Sequence, residues 1–378
     1  MFTLISKLED VEDPRSGNAR CHKLSDILFM AIAAAVAGAD TWYDIADFAE
    51  SHLSFFKKYL ELPGGIPSHD TFNRVFSIID PAILEAHYQE WIADYIKLKA
   101  GDIVSIDGKT IRGAGERGDE GYVHMVSACE SESGISLGQI KVDEKSNEIT
   151  AVPKLLDMLD VKGCTITMDA MGCQKSIAEK IVEKKAHYLL AVKENQHGLL
   201  EGIKETELLC KPSCKHYDLD CDHGRVEERT CRVYRDLSCI RGSWNWAGLG
   251  AVVVQESKRY DKKTGSETVE KRYYITNMPR GRAASIAYAI RSHWSVENKL
   301  HWALDVTLGE DRSSKKRCNA AENFSRLMRV VLFLLRRDKR RRIPGCDKSL
   351  QRKRKTAGWD ENVLERLLFA PPPEENAQ

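Results

Sequence analysis

The sequence predicts a mixed α/β fold, with a helical region before the sheet and a β-rich insertion inside it. Three strand-like segments follow one another after residue 101, and helix–strand units alternate from about residue 150. A run of strands followed by alternating helices and strands is typical of a mixed sheet flanked by helices. The length of 378 residues accommodates two or three domains, and a hydrophobic content of 42% suffices for a sizeable core.

Changes in the residue pattern divide the chain into three parts. Residues 1–98 are predicted to form a helical N-terminal domain, and residues 99–338 a domain that contains the mixed sheet. Within that domain, residues from about 210 to 280 return to strand-like patterns before helical periodicity resumes at Arg282, which indicates a β-rich insertion. Residues 339–378 are predicted to be a basic and partly disordered tail, with order ending at Pro344 and Gly345.

The N-terminal domain contains short helices joined by a turn. An apolar, alanine-rich run covers residues 24–37, and a Gly/Pro turn at 64–67 precedes Ser68, which is a candidate N-cap for the next helix. That helix carries His69, Asn73 and Arg74. The pattern fits a helix-turn-helix-like DNA reader and, equally, a bundle that braces the next domain. The sequence leaves both interpretations open.

Two glycine motifs in the central part resemble nucleotide-binding loops. Residues 113–118 match the dinucleotide fingerprint, but a strand rather than a helix follows them, so we interpret them as a hairpin loop. Residues 108–110 resemble the end of a P-loop, but the required upstream glycine would fall at Ile103. The predicted strands cover residues 102–107, 122–129, 135–142, 164–169 and 187–192, with 230–234, 249–255 and 271–275 in the insertion.

A basic segment near the C-terminus suggests a polyanionic partner. Residues 312–356 contain seventeen Lys and Arg against three acids, so this segment carries +14 while the rest of the chain carries −13. Such a block favours a nucleic acid as partner, although a solvated charged helix is the plainer alternative. The apolar face of a helix over residues 324–335 predicts that Arg326, Arg329 and Arg336 lie on its exposed side.

Cysteine usage and the N-terminal sequence point to the cytosol. The eleven cysteines come without a secretory signal, which predicts reduced thiols. Five of them (Cys210, Cys214, Cys221, Cys231 and Cys239) lie near two histidines, but without a Cys-x-x-Cys pair they signal a zinc site only weakly. No apolar stretch approaches the ~18 residues of a membrane span. We therefore expect a cytoplasmic protein without a membrane partner.

Three carboxylates stand out as a candidate catalytic site: Asp107, Asp169 and Glu297. Each aspartate ends an apolar, strand-like run, and the glutamate lies in a helix-like segment. A single Asp at such a position is usually a turn former. In a mixed sheet, however, the first and fourth strands can be neighbours, which would bring both aspartates to one edge. Carboxylate oxygens at such an edge suit magnesium, and paired metal ions suit phosphoryl transfer.

The segment around Glu297 has a definite helical face. At 100° per residue, one face collects Ile290, His293, Trp294, Glu297, His301, Leu304 and Asp305. A glutamate on an inward apolar face is costly unless it pairs or binds a metal ion. Asp305 is the alternative third ligand on the same face. His301 suits either a phosphate contact or proton relay, or a satisfied core histidine.

Taken together, these motifs resemble those of DDE-class insertion-sequence transposases, in particular the bacterial H-repeat-associated group. The likeness rests on residues 107–110, 167–174 and 294–298, and in the N-terminal part on residues 26–40 and 65–72. It covers nearly the whole chain. One signature differs: at the positions where many relatives carry Tyr, Arg and Lys around the glutamate, this chain has Ile290, His293 and Leu304.

The resemblance implies an RNase H-like core and a DNA transposase that acts on double-stranded DNA, both element ends and target. It implies two Mg²⁺ ions, with Mn²⁺ as a substitute, held by Asp107, Asp169 and Glu297. Water would cleave a phosphodiester bond to free a 3′-OH, and that hydroxyl would attack target DNA. A homodimer on paired ends and a location at the nucleoid are also implied. The alternatives are a catalytically inactive remnant that only binds DNA and an RNase H-type nuclease.

Candidate DNA-binding residues fall in two groups. Near the acids we expect phosphate contacts from cationic and histidine side chains. Histidines and Arg291 are the candidates to replace the missing signature residues, and the basic segment would bind backbone phosphates. The candidates are Lys109, Lys193, Arg291, His293, Lys299 and His301 near the acids, and Arg312, Lys315, Lys316 and Arg317 in the basic segment.

Overall fold

The computed structural model describes residues 3–111, 123–142, 148–222, 224–278, 282–313, 315–337 and 348–370, and its centre is a nine-stranded sheet. The strands are β1 Ile103–Ile111, β2 Val123–Glu130, β3 Ile135–Val142, β4 Thr165–Met168, β5 His187–Val192, β6 Cys214–Asp222, β7 Arg225–Tyr234, β8 Ala251–Asp261 and β9 Glu267–Thr276. They lie in the order β3-β2-β1-β4-β5-β9-β8-β7-β6.

The first five strands form an RNase H-like sheet, which confirms the predicted fold class. The antiparallel meander β1–β2–β3 lies on one side, and β1 then pairs in parallel with β4, which pairs in parallel with β5. The predicted adjacency of the first and fourth strands is therefore confirmed. The glycine-rich residues 113–118 lie outside the described residues. The strands on either side of them pair as far as Ile111 opposite Val123, as a hairpin requires.

The β-rich insertion extends the sheet. It contains four long strands rather than the three short ones that the sequence suggested, and β9 joins it to the core by pairing antiparallel with β5. The half of β9 near β5 is buried or half-buried, whereas residues 267–271 are exposed. Polar and charged residues dominate those exposed ends, so hydrophobic patterning marked only the portions of the strands that lie next to the core.

Two layers of helices cover the sheet, and the side chains of each strand alternate between them. The helices are α1 Thr3–Glu9, α2 Leu24–Ala37, α3 Trp42–Ser51, α4 Leu53–Phe56, α5 His69–Ile78, α6 Pro81–Ala93, α7 Glu148–Asp157, α8 Lys175–Glu183, α9 His197–Leu209, α10 Ala283–His293, α11 Ala320–Arg337, α12 Leu350–Trp359 and α13 Glu361–Phe369. Ile103 and Leu189 pack with α10 on one face, whereas Val104 and Ile166 belong to the larger core on the other. This follows from the two-residue period of a strand.

Helix α2 is the centre of the helical layer. Every residue from Leu24 to Val36 is buried, and α1, α3, α11, α12 and α13 pack around it. The alanines permit close approach of these neighbours. Ser68 caps α5 by accepting a hydrogen bond from the Thr71 N–H at 3.4 Å, as the sequence predicted. Because α5 buries Phe72 and Phe76 against that layer, it has a bracing role, while Arg74 remains exposed.

The prediction that α11 exposes its arginines is wrong. Arg326, Arg329 and Arg336 are all buried. Arg326 lies 3.1 Å from Glu85, Arg329 lies 2.8 Å from Glu310, and Arg336 donates to the backbone carbonyl groups of Gly134 and Lys299. Helical periodicity assigns charged residues to the solvent-exposed side and takes no account of their partners. Here each guanidinium group meets a polar or charged group from another part of the chain, which makes its burial tolerable.

The sequence suggested that order ends at Pro344, but helices follow that residue. Residues 338–347 lie outside the described residues, but α12 and α13 follow them and pack on α2. Leu364, Leu367 and Leu368 of α13 are each at most 2% exposed. Among the described residues, no single helix is long and apolar enough to cross a membrane; one pair bent by 96°, α2 with α3, reaches that length and composition together.

Candidate active site

Asp107 and Asp169 lie side by side where the parallel pairing of β1 and β4 ends. Asp169 directly follows β4, but the prediction that the first strand ends at Asp107 is wrong, because β1 continues to Ile111 in its pairing with β2. Ile106 pairs with Met168 in the parallel register of these strands, so the next residues, Asp107 and Asp169, are neighbours. The residue two positions before each aspartate faces α10. Ser105 approaches the Ser292 carbonyl group at 3.4 Å, and Thr167 approaches His293 at 3.1 Å. Strand alternation therefore directs both carboxylates toward the layer that contains Glu297.

The turn after β4 orients Asp169. Its Oδ1 accepts hydrogen bonds from the backbone N–H groups of Met171 at 3.0 Å and Gly172 at 3.4 Å. A Cβ at Gly172 would lie 2.4 Å from the Met168 side chain, so the close turn needs glycine there. The carboxylate keeps its other oxygen for a ligand in the adjoining cleft.

Glu297 lies on a π-helical segment rather than on the regular helix that the sequence predicted. Helix α10 ends at His293, and two π-helical segments follow, Val296–His301 and Ala303–Thr307. The wider π turn changes the spacing of side chains, and such segments occur frequently at functional sites. Glu297 is consequently exposed instead of facing inward between apolar residues, while Leu300 and Leu304 are buried.

All three acids line one cleft of about 550 Å³. Its other walls include the end of β5 with Lys193 and the insertion strand β9 with Arg272. Among the described residues, no three His, Cys, Asp or Glu side chains are close enough together to enclose a metal ion as they stand. The same holds for Cys210, Cys214, Cys221, Cys231 and Cys239, the group that the sequence signalled weakly as a zinc site.

Asp107 lies in a buried environment rich in acids. Burial raises the pKa of Asp107 to about 7, with further contributions from the negative charges of Asp169, Glu148 and Glu297. Burial and neighbouring negative charge disfavour an ionised carboxylate, and a divalent cation bound beside it would favour that form. The donors are all carboxylate oxygens, the ligands that Mg²⁺ takes.

A fourth acid, Glu148, lies close to Asp107 and did not stand out in the sequence. Its Oε1 lies 2.7 Å from His124 Nε2, and His124 Nδ1 lies 2.8 Å from the Thr110 hydroxyl group. A Cβ at Gly108 would come within 2.1 Å of the same oxygen, so glycine gives Glu148 room beside the strand. In the sequence, the pair Asp107-Gly108 was the one feature that pointed to a close neighbour at this position.

Lys109 belongs to a buried ion network rather than to a phosphate-binding surface. Its ammonium group lies 2.5 Å from Asp305 and 2.6 Å from Glu310, and its side chain is only 7% exposed. Glu310 also accepts from Arg329 at 2.8 Å. Burial would raise the pKa of Glu310, but the charges of Arg329 and Lys109 outweigh it and lower the pKa to about 2. Asp305, the alternative third ligand, is thus paired with Lys109.

Comparison with known proteins identifies the family. The transposase DDE domain model matches residues 99–334, and the DDE_Tnp_1-associated model matches residues 5–92. The chain belongs to the DDE transposase family. The putative transposase YncI of Escherichia coli O157:H7 is 42% identical over 373 residues, which cover 97% of this chain and 94% of that protein.

A second relative of this DDE-family chain agrees with the predicted subgroup. The H repeat-associated putative transposase YhhI of Escherichia coli strain K12 is 43% identical over 359 residues, 92% of each chain. Among solved structures, the piggyBac transposase synaptic complex with hairpin DNA is 11% identical and covers 94% of this chain and 81% of its own. Its TM-score of 0.40 is too low to establish a common fold by itself.

His301 and His293, which lie near the three acids, are neutral. His301 Nδ1 lies 3.7 Å from Asp107, but burial, with the positive charges of Arg329 and Lys109, lowers the pKa of His301 to about 3. Its Nε2 is buried and has no hydrogen-bond partner among the described residues. Burial also lowers the pKa of His293, which lines the cleft. Neither side chain brings a positive charge to the site.

The other predicted DNA contacts are distributed unevenly. Lys193 lines the cleft and is exposed. Arg291 lies 2.8 Å from Asp218 and 3.3 Å from Asp220 of the insertion, and Lys299 donates to the backbone carbonyl groups of residues 131 and 132 at 2.8 Å. In the basic segment Lys315 is buried, whereas Arg312, Lys316 and Arg317 are exposed.

The insertion contributes cations that sequence reasoning missed. The Arg272 guanidinium group lies 4.7 Å from the ring centroid of Trp294 and lines the cleft opposite the acids, as does Lys204 of α9. The cation–π contact holds the guanidinium group over the aromatic face. The same group donates to the Glu270 carboxylate at 2.7 and 3.1 Å, so its charge is paired within β9. Nothing in the local sequence placed β9 beside β5, so only long-range pairing could reveal this wall.

Proposed function

We propose that this protein is a DNA transposase that cuts the ends of a mobile element and joins them to target DNA. The observation that supports this most directly is the position of Asp107 and Asp169 side by side where the parallel pairing of β1 and β4 ends, in one cleft with Glu297. Family membership supports the same class of reaction. The proposed substrates are double-stranded element ends and target duplex, handled by a homodimer at the nucleoid in the cytoplasm.

Asp107, Asp169 and Glu297 would hold two Mg²⁺ ions, which Mn²⁺ could replace. The donor set fits divalent cations because it consists of carboxylate oxygens, and because burial and neighbouring acids leave Asp107 with a raised pKa. When bound, such ions activate the attacking hydroxyl group and offset the charge that develops on the phosphate. Glu297 is exposed on its π-helical segment, so its side chain can turn toward the aspartates.

The protein's own groups would position the DNA. Strand pairing fixes the two aspartate backbones, and the Met171 and Gly172 N–H groups orient the Asp169 side chain. Lys193, which is exposed in the cleft, would attract the phosphodiester backbone. Ile290 and Leu304, which replace two signature residues of many relatives, are at most 6% exposed and make no DNA contact in this proposal.

The test is cleavage and strand transfer on duplex DNA that contains the element's terminal inverted repeats. With Mg²⁺ or Mn²⁺ the wild type should nick the ends and join them to a second duplex, and EDTA should prevent both. Asp107→Asn, Asp169→Asn and Glu297→Gln should abolish product while retaining end binding. Asp160→Asn is the matched control, since Asp160 is exposed just before β4, at the opposite edge of the sheet.

The outcome separates the alternatives. Binding of end DNA without any product from the wild type would identify a remnant that only binds DNA. Metal-dependent cleavage that is indifferent to end sequence, or that prefers RNA–DNA hybrids, would identify an RNase H-type nuclease instead. Products from Asp169→Asn equal to those of the wild type would contradict the assignment of the site.

A further inference from the structure

We propose that a second cleft, remote from the three acids, is a binding pocket for a phosphate group of the DNA backbone. Its volume is about 420 Å³. Three separate parts of the chain line it: the end of α2 and the residues after it as far as Thr41, the described lining residues between Val306 and Lys315, and α12. This inference rests on the proposed function, because it concerns how the same protein would hold DNA.

Charge is the first observation that points to an anion. Four cations line the pocket, namely Arg312, Lys315, Arg354 and Lys355, and among its described lining residues Asp40 is the sole acid. Asp40 contacts Arg354 at 2.8 Å and lies near Lys315 as well, so one acid is set against four cations. A concave surface with this excess of positive charge attracts phosphate.

Two of the cations are held in place by the protein. Arg354 is 6% exposed; it donates to the Ala35 carbonyl group at the end of α2 and to the Thr307 carbonyl group at 2.7 Å. Lys315 is 7% exposed and donates to the Asp40 carbonyl group at 2.7 Å, with its ammonium group 3.5 Å from the centre of the Phe324 ring. Because their positions are already set, little ordering cost remains when a ligand binds.

The other lining donors are free to bind a ligand. Arg312 and Lys355 are exposed, and no described residue provides a hydrogen-bond or ion-pair partner for either side chain. The Ser313 hydroxyl oxygen is buried at the pocket and has no partner among the described residues. Buried hydroxyl groups are normally hydrogen-bonded, so this one is consistent with an additional acceptor in the pocket. Gln351 can supply an amide N–H beside them.

The surroundings favour a polymer over a small free anion. Lys316 and Arg317 continue from the pocket along the chain, and Arg352 lies on the same helix as Lys355; all three are exposed. A basic surface that extends beyond one pocket suits a row of phosphates. Among the described cations of residues 312–356, Arg326, Arg329 and Arg336 brace the fold from inside, whereas Arg312 and Lys355 are exposed and line this pocket.

The variant Arg312→Gln/Lys355→Gln tests the pocket, since it removes two exposed cations without disturbing an internal contact. The matched control is Lys99→Gln/Lys162→Gln, which removes two exposed charges before β1 and β4, at the edge opposite the acids. The measurement is the dissociation constant of a 30-base-pair duplex as a function of NaCl concentration, with thermal unfolding to verify the fold.

We expect the pocket variant to bind duplex roughly tenfold more weakly at moderate salt. The slope of log K against log salt should fall by about 0.9, the value for one lost phosphate contact. The control variant should keep the wild-type slope. An unchanged slope in the pocket variant, with normal duplex binding by the wild type, would overturn the pocket alone. Absence of duplex binding by the wild type would instead contradict the proposed function.

A second arm separates DNA from a free anion. Thermal unfolding is compared in inorganic phosphate and in chloride at equal ionic strength, for the wild type and both variants. A weaker phosphate stabilisation in the pocket variant together with the reduced DNA slope supports the proposal. Loss of phosphate stabilisation with an unchanged DNA slope would assign the pocket to a small anion and overturn the DNA assignment.

Discussion

Lys109 Nζ lies 2.6 Å from Glu310 Oε2, and this buried ion pair joins the strand that carries Asp107 to the segment that follows Glu297. Lys109 is two residues beyond Asp107 on β1, and Glu310 comes after both π-helical segments. The pair therefore fixes the elements that carry two of the proposed catalytic acids, Asp107 and Glu297, against each other. Arg329 extends it to α11 through the same carboxylate at 2.8 Å.

We predict that Lys109→Met destabilises the protein by about 3–5 kcal/mol, because it leaves the buried Glu310 and the half-buried Asp305 with one cation fewer. Urea unfolding measures the loss. Lys141→Met is the control: Lys141 is 42% exposed and lies 4.0 Å from Glu322, so its removal should cost less than about 1 kcal/mol. Equal small losses in both variants would contradict a structural role for the network.

We predict that Asp107→Asn stabilises the metal-free protein above pH 7. The folded pKa is raised from 3.8 to about 7, so the unfolded chain ionises first and the folded state loses stability as pH rises between those values. The asparagine variant lacks this penalty. Thermal unfolding in EDTA should show the variant more stable at pH 8 and equal to the wild type near pH 3. A less stable variant at pH 8 would contradict the charge environment described above.

Added Mg²⁺ should reverse that order at pH 8. The wild type gains stability from an ion that binds only the folded state, whereas Asp107→Asn has lost a ligand. Equal stabilisation of both proteins by Mg²⁺ would show that Asp107 does not hold the ion. Asp160→Asn should respond as the wild type does.

We predict that His301 stays neutral from pH 8 to pH 5. Its pKa is lowered to about 3 by burial and by the charges of Arg329 and Lys109, so it binds no proton in that range while folded. The Cε1–H resonance, assigned by its absence in His301→Asn, should not shift during an NMR titration. A midpoint between pH 5 and 7.5 would mean that the imidazole is accessible and is able to relay protons.

We predict that α13 is required for stability. Leu364 is fully buried, and Leu364→Ala should cost about 2–5 kcal/mol. Arg366→Ala on the exposed side of the same helix should cost well under 1 kcal/mol. Equal unfolding midpoints for the two variants would restore the earlier prediction of a disordered tail.

Several features followed from local sequence because they depend on local physics. Apolar runs that end in an acid marked β1 and β4, and the two-residue period then directs Asp107 and Asp169 to one face. Ser68 as an N-cap and the apolar run of α2 were readable in the same way. The mixed-sheet pattern predicted that the first and fourth strands are neighbours, and the family resemblance then suggested a function for the acids on them.

Other features depended on partners far apart in the chain. Arg326 and Arg329 are buried because Glu85 and Glu310 reach them, and the contact between Arg326 and Glu85 spans 241 residues. Hydrophobic periodicity registers no such partner and therefore assigned these arginines to solvent. The π-helical turn that exposes Glu297 likewise arises from how residues 296–307 pack, not from a local signal.

The sequence by itself determined the class of fold and placed Asp107 and Asp169 in or directly after strands, since strand period and apolar runs are properties of neighbouring residues. Only the tertiary structure decided which charges brace the protein and which remain available to DNA. The physical reason is that burying a charge is tolerated only where an opposite charge or a polar backbone group meets it. Those meetings, such as Lys109 with Glu310 and Arg354 with Asp40, are made by the folded chain.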